Sequence, residues 1–202
     1  MSISTLVSAG LSECEQAGRE AGLAAGLALA LSGTAVADIA PGPYAAVPAE
    51  GLSDDAPVLR HRLADPEGIV FLNCPGERVA DAAELAEIGR LLAAVRMGVL
   101  RRVLDQVVEH LSGRLSGGEP LIRKQLIAGS VADVMAGLEL LRGYVSAQRG
   151  PVAVADVHNQ LDELGWEVAT LYGAAGYLAD GPGRALHVSA LVAGTWVPRE
   201  AA

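Results

Sequence analysis

The chain has 202 residues, 51% of them apolar but only 3% aromatic, and a formal net charge of −9. That length suits one domain with an appendage, and the scarcity of aromatic residues leaves Ala, Leu and Val to build the core, a composition that favours helices. So acidic a chain argues against nucleic-acid binding through phosphate contacts, and the basic pairs Arg101-Arg102 and Arg123-Lys124 read as solvated helix faces.

In chain order, "SECEQAGREAGLAAGLALALSG" predicts a helix with Ser12 as N-cap and Gly33 near its C-terminal end. Glu13, Glu15 and Glu20 precede the apolar run, which is not the order of a secretory leader. Residues 21–37 carry no charge but are short and weakly apolar for a membrane span, so they read as a buried or partner-facing helix. Cys14 and Cys74 lie far apart without metal-ligand spacing, and a reduced pair in the cytoplasm is the expectation. Pro41, Pro43 and Pro48 then break regularity. "APVLRHRLADPEGIVFLN" predicts two short strands around a turn at Asp65-Pro66-Glu67-Gly68, a small hairpin rather than a full β-domain.

From Asp81 the pattern turns helical. Ile88, Leu91, Leu92, Val95, Val99, Val103 and Val107 recur at steps of three and four and predict a helix over 82–112. "SGRLSGGEP" breaks it, and Pro120 suits the first turn of the next helix. That helix carries Ile127, Val131, Val134, Leu138, Leu141 and Val145 and stops at Gly150-Pro151. A third carries Val154, Val157, Leu161, Leu164, Val168 and Leu171 and ends at Gly173. A shorter fourth covers roughly 183–192, and Ala193-Gly194-Thr195 reads as a small-residue turn. Long helices with single apolar stripes and short connections predict a mainly α chain: an antiparallel helical bundle over 81–202, preceded by a helix and a small β-hairpin within 1–80.

Five pieces in this order resemble the C-terminal helical domain of the acyl-CoA dehydrogenase family over residues 83–198. "SGRLSGGEPLIRKQL" is similar to the family's Arg-x-x-Phe-Gly-x-x-Leu segment with its following Gln. "SVADVMAGLELLRGYV" is similar to its Leu-Ala-Asp-Met helix, and "ATLYGAAGY" stands where it has Gln-x-x-Gly-Gly-x-Gly-Tyr. "GPGRALHV" resembles its Pro-x-Glu-Arg-x-x-Arg-Asp, and "AGT" stands at its Glu-Gly-Thr. "HRLADPEGIVFLNCPGERV" resembles the last strands of the family's middle β-domain. The resemblance implies a strongly truncated member.

The resemblance also implies flavin chemistry, with FAD lying between subunits and gripped at its pyrophosphate end by the Arg and the glycine turn. An Arg fork suits phosphate oxygens, and glycines let backbone N–H groups approach an anion. Carried over by position, the cofactor-binding candidates are Arg114, Gln125, Gly173 and Gly176. The pattern departs elsewhere. Gly117 stands at the Phe position, Thr170 at the Gln, Ala174 at the second glycine, Gly183-Arg184 at Glu-Arg and His187-Val188 at Arg-Asp. The family's usual base, which removes the α-proton of an acyl thioester, is replaced by Ala193, and an Ala cannot take a proton. Family members that carry the base on the first long helix would use Glu84, Glu87 or Glu109, and none sits convincingly.

Three expectations follow from that resemblance. In the first, the chain is a subunit that lacks the base and acts with a full-length, flavin-bearing partner on an acyl thioester. In the second, the scaffold serves a non-redox enzyme of cyclase or dehydratase type, with His187, Asp180, Arg184, Tyr177 and Tyr172 as its chemical groups; in the third, it is an inactive, homodimeric structural or binding module. His110 and His158 have no paired ligand spacing, so no metal is expected.

Overall fold

Gly22 takes φ +95°, a backbone conformation that L side chains rarely adopt, and it divides the first helical segment in two. The computed structural model describes residues 10–53, 55–76 and 81–198. The expected boundary between residues 80 and 81 falls at the edge of a stretch outside the described residues. The first segment is α1 (Leu11–Glu20) and α2 (Leu23–Ala30), where one continuous helix was expected. Gly10 and not Ser12 is the cap of α1, and its N–H donates to Glu13 Oε2 at 2.9 Å. A short α3 (Val36–Ile39) follows a turn that contains Gly33.

Among the described residues the β segment has three strands and not the expected two. β1 (Tyr44–Pro48), β2 (Val58–Leu59) and β3 (Ile69–Asn73) form an antiparallel sheet in the order β1-β3-β2, with Ala46 and Leu59 both opposite Phe71. The expected turn at 65–68 is present as a 3-10 turn (Asp65–Glu67) closed by Gly68 at φ +69°. β1 was masked in the sequence by its prolines. Pro43 precedes it and Pro48 ends it, and an edge strand tolerates proline at its ends. The outward-facing groups of Ala46 find partners beyond the sheet: its N–H donates to Thr195 Oγ1 at 3.0 Å, and its carbonyl accepts from Trp196 Nε1 at 2.8 Å.

Those two partners belong to the last of four long helices: α4 (Ala82–Gly113), α5 (Gln125–Ala147), α6 (Pro151–Leu171) and α7 (Arg184–Trp196). Arg90 on α4 bonds the carbonyl of Val145 on α5, and Arg96 reaches both His158 on α6 and Ser189 on α7. These pairings fix an up-down-up-down bundle, as expected from the apolar stripes. All seven stripe positions named on α4 are buried, as are Val131, Val134, Leu138, Leu141 and Val145 on α5.

Two boundaries differ from the sequence reading. Pro120 does not open α5; it ends a short strand and precedes a 3-10 turn (Leu121–Arg123). Ala193-Gly194-Thr195 is not a turn but part of α7, which continues to Trp196. Trp196 is fully buried and tied to Ala46, and that anchoring outweighs the weak helix propensity of Gly194.

α1 lies on α4 at backbone distance. A Cβ on Gly98 would stand 2.0 Å from the carbonyl oxygen of Glu15, and one on Gly18 would stand 2.3 Å from that of Val95. Arg142 on α5 secures α1 from the side: its Nε donates to Glu15 Oε2 at 3.0 Å, and it also bonds Glu139. The hydrogen bond from Arg142 holds the Glu139 carboxyl below the usual carboxylate range.

Candidate functional site

The sequence candidates separate into an exposed end of the bundle and a half-open cavity on its side. At the exposed end α4 stops at Gly113 and Arg114 turns extended. β4 (Leu115–Ser116) and β5 (Glu119–Pro120) then form a minimal hairpin. Its two turn residues, Gly117 and Gly118, have φ of +66° and +85°, the sign that a tight hairpin of this kind requires. The carbonyl of Arg114 accepts from Leu121 N–H at 2.8 Å, which folds the connection back and delivers Gln125 to the start of α5.

The Arg114 guanidinium lies 3.5 Å from His110 Nε2, and the His110 ring is 5.3 Å from the Tyr172 ring. Tyr172 caps α6 and precedes Gly173, whose φ is +64°. Arg114, Gln125 and Gly173 therefore share one end of the bundle, and all three are exposed. Burial, and secondarily the charge of Glu109, raises the Tyr172 phenol above its ordinary value, so the ring stays neutral there.

Gly176 is placed differently. It is buried, and a Cβ on it would stand 2.1 Å from the carbonyl oxygen of Ala169, so the 3-10 turn Gly173–Tyr177 can fold onto α6 only with glycine there. It borders the half-open cavity rather than the exposed end.

That cavity, of about 390 Å³, lies between α4, α6, the 3-10 turn and α7. Leu100, Leu161, Ala169 and Leu186 supply apolar walls. Its polar side was not anticipated from the sequence. Arg96 is 3% exposed, yet each nitrogen of its guanidinium is engaged. Nη2 donates to Asp162 Oδ1 at 2.5 Å, Nη1 meets His158 Nδ1 at 2.9 Å, and Nε meets Ser189 Oγ at 3.4 Å. His158 Nε2 lies 2.9 Å from the carbonyl oxygen of Gly89. A carbonyl can only accept, so Nε2 carries the proton and Nδ1 accepts from Arg96. The buried cation is thus compensated by Asp162 and oriented by a neutral imidazole.

One signal for this network was present in the sequence. Between Ile88 and Leu100 only Arg90 and Arg96 interrupt an apolar run, and a helix apolar on all sides is embedded. Charges on such a helix must find partners inside.

The remaining candidates lie around these two places. Arg184 bonds Glu67 at 2.8 Å and ties the start of α7 to the β segment. Tyr177 stands at the cavity rim with its hydroxyl 3.1 Å from Thr170 Oγ1, and exposed His187 also borders the cavity. Asp180 is exposed in the turn before α7, outside the cavity lining. Ala193 is fully buried within α7. Of the acids on α4, Glu87 pairs with Arg90 at 2.5 Å, and Glu84 and Glu109 are exposed. Among the described residues no group of three or more His, Cys, Asp or Glu could hold a metal, and no helix is long and apolar enough to cross a membrane.

Residues 78–149 match the family model of the acyl-CoA dehydrogenase C-terminal domain. No curated protein matches the chain. Among solved structures, the chain is similar to butyryl-CoA dehydrogenase from Megasphaera elsdenii, at 18% identity and a TM-score of 0.51 over 72% of this chain and 46% of that one. It is similar to acyl-CoA dehydrogenase from Geobacillus kaustophilus at 15% identity and a TM-score of 0.52, covering 71% and 47%. The ChsE4-ChsE5 complex from Mycobacterium tuberculosis matches at 19% identity and a TM-score of 0.50, covering 70% and 46%. The chain spans about half the length of the solved structures it matches.

Proposed function

We infer that this chain, an acyl-CoA dehydrogenase-like protein built on that family's C-terminal helical fold, is a subunit without its own base in a two-chain flavoenzyme that oxidises an acyl thioester. A full-length partner holds most of the FAD and supplies the base. This chain completes the grip on the outer part of the cofactor.

The observation that carries the reading is the exposed end of the bundle. Arg114, Gln125 and Gly173 are exposed at that end, where a guanidinium, an amide and a glycine turn are available to a docking partner. That donor set fits a pyrophosphate. The cavity fits one less well: Arg96 is engaged by Asp162, His158 and Ser189, and the charge of Arg184 is balanced by Glu67. Gly176 shapes the turn that presents Gly173 and does not itself reach the exposed end.

When bound, the flavin supplies the hydride acceptor. On this chain, Arg114 would donate to phosphate oxygens and Gln125 would orient beside it. Ala193, buried in α7, offers no proton acceptor, and in this reading the base belongs to the partner. The outer face of α5 carries exposed Leu126 and Leu140, at 87% and 75%, apolar surface that such a partner would cover. One of the solved structures of this fold is itself a complex of two named chains, ChsE4 and ChsE5.

Co-expression with a full-length acyl-CoA dehydrogenase-like chain from the same genome tests the reading. A yellow complex that contains both chains is expected. A colourless homo-oligomer that ignores every such chain would refute it.

A further inference from the structure

The cavity between α4, α6 and α7 is separate from the exposed end at which Arg114 and Gln125 lie, and its chemistry selects a different kind of ligand. We propose that it is a binding site for a neutral, planar, largely apolar small molecule of two to three fused rings that carries one hydrogen-bond donor.

Size sets the first limit. A cavity of ~150 Å³ holds a benzene ring, so the volume of about 390 Å³ here accepts roughly two to three rings. Shape sets the second. Trp166 and Tyr177 stand at the rim as an edge-to-face pair with ring centroids 5.4 Å apart, and both are more than half exposed. The Tyr177 hydroxyl meets Thr170 Oγ1, which fixes the ring. Aromatic rings at a mouth offer stacking and edge contacts to a planar aromatic guest.

Charge sets the third. The carboxylate on the cavity wall is Asp162, its charge balanced by the buried Arg96. A carboxylate offers about four lone-pair sites, so one held by an Arg can still accept from a guest hydroxyl. An anionic guest would face that carboxylate, and the two arginines that line the cavity have their charges balanced, Arg96 by Asp162 and Arg184 by Glu67. The cavity therefore disfavours the phosphates of an acyl thioester of coenzyme A, and the site does not depend on the flavin reading.

Calorimetric titration of the intact chain with three probes of one shape tests the proposal. 2-Naphthol is expected to bind saturably at one site per chain, at least fivefold tighter than 2-methoxynaphthalene, which lacks the donor. 2-Naphthoate, the anionic counterpart, is expected not to bind measurably. Ala190 lines the cavity from α7, and Ala190→Leu should abolish 2-naphthol binding while circular dichroism confirms the fold. No saturable binding of 2-naphthol, binding of 2-naphthoate as tight as that of 2-naphthol, or undiminished binding to a folded Ala190→Leu chain would each overturn it. If Ala190→Leu does not fold, the three-probe comparison on the unaltered chain decides alone.

Discussion

α4 and α5 are neighbouring helices of one bundle, and they differ in what surrounds them. Every residue of α4 from Ile88 to Leu100 is buried, because α1 covers the side that the rest of the bundle leaves open. Only five of the 23 residues of α5 are buried, in a single stripe, and its outer face carries exposed Leu126 and Leu140. α4 is the axis of the molecule and tolerates neither added volume nor an unpaired charge. α5 is a wall whose outer face is free to meet something else.

The largest effect is expected where α4 holds a charge. Asp162→Ala leaves Arg96 buried without its counter-ion and should lower stability by about 3–5 kcal/mol in denaturant unfolding. A loss under about 1 kcal/mol would mean that Arg96 finds another partner. Next comes backbone contact. Gly98→Ala drives a Cβ into the Glu15 carbonyl and should destabilise by about 2–3 kcal/mol. Gly143→Ala on α5 meets nothing within 4 Å and should instead stabilise by about 0.5–1 kcal/mol. Equal signs for the two glycine substitutions would erase the distinction between the helices.

A pH effect of similar size arises under α1. Cys14 is fully buried, and burial, followed by the charge of Glu13, pushes its thiol from 9.0 up to about 11. Above pH 9.0 the unfolded chain releases this proton while the native chain retains it until about 11, so the native state binds more protons in that window. Stability should therefore fall as pH rises through it, by about 2–3 kcal/mol in total, and Cys14→Ala should remove that part of the loss. An identical high-pH slope with and without the thiol would contradict the assignment. The smallest effect on the isolated chain is expected at Leu140. Leu140→Glu should change stability by less than about 0.5 kcal/mol yet weaken association with the partner.

The same contrast explains what could be read in the sequence. The stripes on α4, α5 and α6 were legible because a helix with one buried face writes its period into the chain. The break at Gly22 was not, since apolar residues continue on both sides of it. β1 was hidden by Pro43 and Pro48, whose places at the ends of an edge strand are set by pairing with β3. α7 looked finished at Ala193-Gly194 because what extends it, the burial of Trp196 and its bond to Ala46, lies 150 residues away. Arg114, Gln125 and Gly173 were named from residue identity, and they lie exposed at one end of the bundle. The cavity was not legible: Arg96 and Asp162 are 66 residues apart, and no local pattern joins them.

The most direct test of the central claim is flavin retention in the purified two-chain complex, with Arg114→Ala compared against the unaltered chain. Loss of a charge-assisted contact to phosphate should weaken retention by about tenfold or more while both chains stay associated. Unchanged retention in an intact complex would show that this chain does not touch the cofactor, and the subunit reading would lose its chemical basis.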